Sequence, residues 1–237
     1  MRVSLAIAWK EIQAYFTSPI GFIVALVYLA LTGFFFVRSI SGTLPEASVE
    51  LYIVATAWIM VPLGPALTMG LLAEEQKLGT IELLLTAPVK DWEVVLGKFL
   101  ASLSFFLVTL TMTLFYVLLL GAYGNPDWGP VWSAYLGIIL YGATALSIGL
   151  MASSFTRNQI VSFVLGLGIL LMLAVIQFAS DLVEGVGATI LDQIGTIYHL
   201  DDFTLGIIDT NHIVYYVSLT AVFLFLTIRS LESRRWR

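Results

Sequence analysis

The chain has 237 residues, of which 59% are hydrophobic and 11% charged, with a formal net charge of −5. Soluble domains carry about a quarter charged residues, so this composition, with a mean hydropathy of +0.95, excludes an ordinary soluble globule. The absence of cysteine excludes disulfides, thiolate metal sites and iron–sulfur clusters, and two histidines alone disfavour a multi-histidine metal or haem site.

Six stretches of roughly 16 to 22 residues lack Asp, Glu, Lys and Arg, each long enough to cross a hydrocarbon core of about 30 Å as a helix. Lipid tolerates only helices and closed barrels, and these stretches do not alternate in polarity, so the pattern predicts an all-α integral membrane protein. Residues 4–16 place Leu5, Ala8, Trp9, Ile12, Tyr15 and Phe16 on one helical face, with Lys10 and Gln13 opposite. That spacing predicts an amphipathic helix lying in the membrane interface. Lys10 and Glu11 interrupt it and no small-residue cleavage site follows, which argues against a signal peptide. Spans are expected at about 20–37, 51–73, 99–122, 132–151, 160–179 and 213–228, forming one domain over 1–237. Pro62 and Pro65 fall inside the second span and predict a helix kink.

Basic residues are retained on the cytoplasmic side. With both termini there, ten of the eleven lie inside, and only Arg38 lies outside. Seven acidic residues fall inside and nine outside, so the faces carry about +3 and −8. Arg38 either snorkels to the interface or meets an anionic substrate, and Arg234, Arg235 and Arg237 fix orientation against anionic lipid. The spans contain no ionisable acid or base apart from tyrosine, which disfavours a proton-coupled carrier. Small residues including Gly137, Gly142, Ser147, Gly149, Gly166 and Gly168 permit close helix packing.

The most specific string runs Glu74-Glu75-Gln76-Lys77-Leu78-Gly79-Thr80-Ile81-Glu82-Leu83-Leu84-Leu85-Thr86-Ala87-Pro88-Val89. It predicts a polar extension of the second span, a break at Gly79, a second helix capped by Thr80, and a stop before Pro88. Its charges meet either water or a soluble partner. Together with Pro65-Ala66-Leu67-Thr68-Met69 and Ser153-Ser154-Phe155-Thr156-Arg157-Asn158-Gln159-Ile160-Val161, this string resembles ABC type-2 transporter permease subunits. The closest likeness is to the branch of gliding-motility and nitrous-oxide-reductase-maturation systems. It covers nearly the whole chain, including Lys10-Glu11 and the Tyr15 to Pro19 stretch.

The resemblance implies that Glu74, Glu75, Lys77, Gly79, Thr80 and Glu82 form or flank a coupling helix that docks on a cytoplasmic ABC ATPase, present in two copies and holding ATP and Mg. Arg157 is either a second ATPase contact or a topology anchor. Gly70 and Gln76 depart from the basic residues common in relatives, which weakens any particular salt bridge. No Gly-x-x-x-x-Gly-Lys-Ser/Thr loop occurs; Gly97-Lys98 is followed by Phe99, so a partner must supply ATP hydrolysis. The resemblance further implies a second permease, identical or related, in a cell inner membrane, with short outer-leaflet helices before the last span.

Those helices fall in an acidic outer segment, where Leu191 to Ile208 shows near-helical spacing interrupted at Asp201-Asp202. Asp201, Asp202, Phe203 and Asp209 are the candidate outer gate, or the contact for an extracytoplasmic partner. His199 and His212 read as interfacial residues rather than metal ligands, and the scattered methionines as packing. No cofactor or nucleic-acid site is expected in the chain. The function the pattern predicts is a non-catalytic permease for export or for transmitting conformational change across the membrane. An integral-membrane lipid-processing enzyme and a motor-independent channel or carrier are the alternatives.

Overall fold

The computed structural model describes residues 2–40, 50–80, 89–123, 126–182 and 185–234. Among them every regular element is helical. The long helices are α1 Arg2–Thr17, α2 Pro19–Ile40, α3 Glu50–Leu78, α4 Asp91–Tyr123, α5 Trp128–Phe155 and α6 Gln159–Val175. A 3₁₀ turn, Ile176–Leu182, prolongs α6. The short helix α7 Val186–Ile194, the 3₁₀ turn Tyr198–Leu200 and α8 Asp201–Thr204 precede α9 Thr210–Arg234. Among the described residues, six helices are long and apolar enough to cross a membrane: α2 to α5, α6 with its 3₁₀ extension, and α9.

Helix starts follow local chemistry. Ser18 Oγ accepts from the Ile20 amide at 3.2 Å, so it caps α2 just ahead of Pro19, whose missing N–H costs nothing at a helix start. Asp127 caps α5 by accepting from Gly129 N, and Asn158 caps α6 by accepting from Ile160 N. Glu93 reaches back to the Lys90 amide at 3.2 Å, so α4 starts at Asp91, two turns before the expected span.

Helices α3 and α5 are the buried centre, while α2, α6 and α9 leave most of their surface uncovered. The central seam depends on missing side chains. A Cβ on Gly149 of α5 would lie 2.1 Å from Thr68 Oγ1 and 2.9 Å from Pro65 Cα of α3. Only glycine lets the two backbones come this close, a packing mode typical of membrane helices. The Pro65 ring also lies against Gly166 of α6, so three helices meet at one proline. Helix α3 stays helical through Pro62 and Pro65, and Thr68 Oγ1 donates to Gly64 O at 3.0 Å.

Helix α1 packs on α4, with Tyr15 stacked on Phe105 at 5.0 Å and its hydroxyl donating to Leu67 O of α3 at 2.7 Å. The apolar face expected on α1 therefore divides: Ala8 and Tyr15 turn to protein, while Leu5, Trp9 and Phe16 stay exposed.

The seam gives a direct check. Gly149→Leu should lower stability by about 1–3 kcal/mol or more through overpacking, whereas Gly168→Ala, whose Cβ meets open space, should be neutral. Thermal unfolding in detergent compares them; equal midpoints would contradict the seam.

Candidate functional site

The charged side chains at one end of the bundle converge on a lysine. Lys98 sits two turns into α4, and its side chain is 1% exposed. Its Nζ lies 2.9 Å from Glu11 Oε1 of α1 and 2.8 Å from Glu75 Oε1 of α3. Neighbouring Gly97 makes this possible: a Cβ there would lie 2.8 Å from Ser4 O and 2.9 Å from Ile7 Cβ, so α1 crosses α4 almost backbone to backbone. An ammonium buried without partners would cost several kcal/mol, and two carboxylates offset that cost. Glu11 also lies 3.8 Å from Lys10 Nζ, which is 72% exposed, so two cations face two anions. Lys98 stands just ahead of the span expected at 99–122, and because α4 begins at Asp91 its side chain meets protein rather than lipid.

A second set of contacts fixes the end of α3 to α5. Ser153 Oγ accepts from the Leu72 and Ala73 amides at 3.1 and 3.0 Å and donates to Met69 O at 2.9 Å, inserting into the ladder of α3. Gln76 Nε2 donates to Ser154 O at 3.0 Å and Ser153 O at 3.5 Å, satisfying carbonyls at the end of α5 that have no partner within the helix. Ser230 of α9 donates to Ser154 O at 3.3 Å. Gln159 Nε2 of α6 donates to Glu74 Oε2 at 3.0 Å. Gly70 lies beside that pair, with Glu74 and Gln159 atoms 3.5 and 3.6 Å from where its Cβ would be.

The six residues read as coupling positions therefore separate. Glu75 turns inward to Lys98, while Glu74, Lys77, Gly79 and Thr80 are exposed. Gly79, at φ +71°, ends the run in the left-handed conformation that glycine adopts freely, and Thr80 Oγ1 donates to Glu75 O at 3.4 Å. Glu82 lies outside the described residues. Exposed Leu78, Phe155 and Arg157 flank the same end. Sequence reading missed Lys98, Gln76 and Ser153 as a cluster. Gln76 and Ser153 stood in the quoted strings as letters without partners, and Lys98 resembled a span-flanking anchor.

At the opposite end a second polar cluster holds residues 194–203 to α9. Tyr215 Oη donates to Ile194 O at 2.7 Å and Tyr216 Oη to Thr196 O at 2.6 Å. His199 Nε2 meets Gln193 O at 2.9 Å, His199 Nδ1 meets His212 Nδ1 at 2.6 Å, and His212 Nε2 meets Asp202 Oδ2 at 2.7 Å. Burial is the main influence on His199 and holds its imidazole below the ordinary histidine range; His212 adds to this, while the Gln193 carbonyl and Asp202 oppose it. Phe203 is fully buried against Gly137 of α5, where a Cβ would lie 2.9 Å from its ring. Asp209 Oδ1 accepts from Asn211 N at 2.9 Å at the start of α9. The break expected at Asp201-Asp202 instead falls earlier, after α7: the two aspartates open α8, where carboxylates favour a helix start.

Between α2 and α3 lies an open, almost entirely apolar cavity of about 670 Å³, lined by residues including Val27, Leu31, Trp58 and Pro62 and by Phe163 of α6.

The sequence profile described as ABC-2 family transporter protein matches residues 5–227. The chain belongs to the ABC-2 transporter family. Over 128 residues it is 27% identical to "Probable multidrug ABC transporter permease YbhR" from Escherichia coli K12, and equally to its counterpart from Escherichia coli O157:H7. The matched region is 50% of this chain and 34% of each relative, so the chain spans about a third of those curated relatives. ABC-2 membership and the apolar helices make it a multi-pass transmembrane permease subunit. Within an ABC-2 permease, the Lys98 cluster joins α1 to the end of the helix that leads into the polar string.

Lys98→Met should cost about 3–5 kcal/mol, because two half-buried carboxylates lose their shared cation. Adding Glu11→Gln and Glu75→Gln should restore most of it. Unfolding in detergent micelles reads both, and an equal loss in the single and triple variants would contradict the assigned pairing.

Proposed function

We propose that the chain is the membrane subunit of an ATP-driven exporter, working with a second permease, identical or related, and with two copies of a cytoplasmic ABC ATPase. The partner binds ATP and Mg, and the permease performs no covalent chemistry. It resides in a cell inner membrane with both termini cytoplasmic, in keeping with ten of eleven basic residues on that side. The observation that carries the reading is the end of α3. Glu74, Lys77 and Leu78 stand exposed on a helix end that Lys98, Gln76 and Ser153 clamp to α1, α4 and α5. An ATPase pushing there would move a rigid unit rather than a loop.

In this reading the exposed Glu74, Lys77, Leu78, Gly79 and Thr80, with Arg157 beside them, carry the ATPase contact, and Glu75 holds the lever in place from behind. Gly70, where the resemblance leads one to look for a basic residue, leaves Glu74 to Gln159. The uncovered faces of α2 and α6 meet the second permease. The apolar cavity beside them suits the hydrocarbon part of an amphiphile, and the multidrug permease name of the relatives accords with such cargo. Helices α7 and α8, set in the outer leaflet, close the outer end. Likeness to the gliding-motility and nitrous-oxide-reductase-maturation branch keeps force transmission to an outer partner within the same mechanism.

Tagged full-length chain should co-purify with a stoichiometric ABC ATPase. Glu74→Arg combined with Leu78→Glu should abolish that association while leaving the unfolding midpoint unchanged. Wild-type chain that carries no ATPase, or a double variant that binds it normally, would refute the assignment.

A further inference from the structure

The line Gln193 O, His199, His212, Asp202 can be counted in protons. A carbonyl oxygen only accepts, so His199 Nε2 carries a hydrogen to reach Gln193 O at 2.9 Å. The two Nδ1 atoms stand 2.6 Å apart, so one hydrogen lies between them; two lone pairs or two N–H groups would repel at that distance. His212 Nε2 lies 2.7 Å from Asp202 Oδ2, and that contact needs a third. Three hydrogen bonds therefore take three protons, whereas two neutral imidazoles bring two. The additional proton is balanced by Asp202, and the three side chains together are neutral.

Among the described residues no lysine or arginine forms an ion pair with this line. No lysine or arginine occurs between residues 158 and 228. The titratable groups around the pair are Tyr198 beside His199, Tyr215 stacked on it at 3.9 Å, and Tyr216 of α9, which itself faces Tyr141 of α5 and Asp201 of α8. Asp192 of α7 and Asp209 ahead of α9 flank the line in sequence. A metal bridging the two Nδ1 atoms does not fit: metal–nitrogen distances of about 2.0–2.1 Å in a tetrahedral site hold two nitrogens about 3.3 Å apart.

We propose that His199 and His212 form a one-proton latch that seats residues 195–209 on α5 and α9 while the pair carries three ring protons, and frees the segment when the pair gains or loses one. The elements it joins are α7 through Gln193, the turn through His199, α8 through Asp202, and the first turn of α9 through His212. Losing one proton strips the hydrogen from either the Nδ1 pair or the contact with Asp202, and either loss breaks the line. Gaining one puts hydrogens on both Nδ1 atoms. On the acid side, the folded protein disfavours charged His199, so the contribution of its neutral form is present above the ordinary histidine value of about 6.5 and is lost as the pH falls below it. The latch is thus closed in a window and opens on both sides. It does not depend on the transporter reading, since it acts within this chain.

The chain has only these two histidines, so ¹⁵N-histidine labelling of the full-length wild-type protein in lipid nanodiscs observes the pair without background. The latch requires nitrogen–nitrogen coupling across the shared hydrogen inside the window, with the shifts of both rings changing together as the pH leaves it. Two rings that titrate separately without coupling would overturn it. As a second readout, Thr204→Cys, at a buried site in this cysteine-free chain, is labelled with a membrane-impermeant maleimide from roughly pH 5 to 8. Rates are normalised to Tyr123→Cys, an exposed position, which removes the pH dependence of the thiol itself. The ratio should be lowest inside the window, rise several-fold outside it, and stay high throughout when Asp202→Asn is added. A flat ratio in the otherwise wild-type background, or a profile changed by a chelator, would overturn the proposal.

Discussion

One buried ammonium organises the end of the molecule where the polar string begins. Lys98 would be strongly unfavourable alone in the apolar bundle, and its two carboxylate partners come from helices far apart in sequence. The pairing therefore dictates more than its own energy. It requires α1 to lie across α4 at Gly97, and it holds the end of α3 beside both. Because breaking one partner strands a charge, these three elements have one favourable arrangement instead of a range of similar ones. That property suits a surface meant to receive a push.

The second constraint is steric and lies deeper. Gly149 and Gly166 admit the Pro65 ring and let α3, α5 and α6 approach closely, so the centre of the bundle is dense while α2 and α6 keep open outward faces. Without a hydrophobic driving force between helices in lipid, close backbone packing of this kind supplies much of the association energy. The clamp and the seam meet on α3: Ser153, one turn beyond Gly149 on α5, inserts into the ladder of α3 just past Thr68. These contacts tie the end of α3 to the seam and, through Pro62, to the wall of the apolar cavity.

Much of this was legible in the residues. The six spans appeared as charge-free runs because lipid excludes charge, and Gly79 marked the end of α3 because a left-handed residue is needed there. The partners of Glu75 were not legible. Four consecutive polar residues, Glu74 to Lys77, look alike in sequence, yet α3 turns Gln76 into the protein, half-buries Glu75 and leaves Glu74 and Lys77 in the open. Which is which depends on where α4 and α5 sit, a tertiary fact. Lys98 was hidden for the same reason: a lysine beside an apolar run ordinarily marks a membrane boundary, and here the helix begins two turns earlier. His199 and His212 lie 13 residues apart and gave no local sign that their rings would touch.

The central claim is that α1 and the end of α3 form one rigid body, which the proposed coupling to an ATPase requires. Spin labels placed at Lys10 and Lys77, both exposed and in a chain without native cysteine, allow the distance between them to be measured by pulsed electron paramagnetic resonance in the assembled complex. The account predicts a single narrow distance that is the same in nucleotide-free and ATP-trapped states. A distance that shifts or splits between those states, with Lys98 intact, would contradict it.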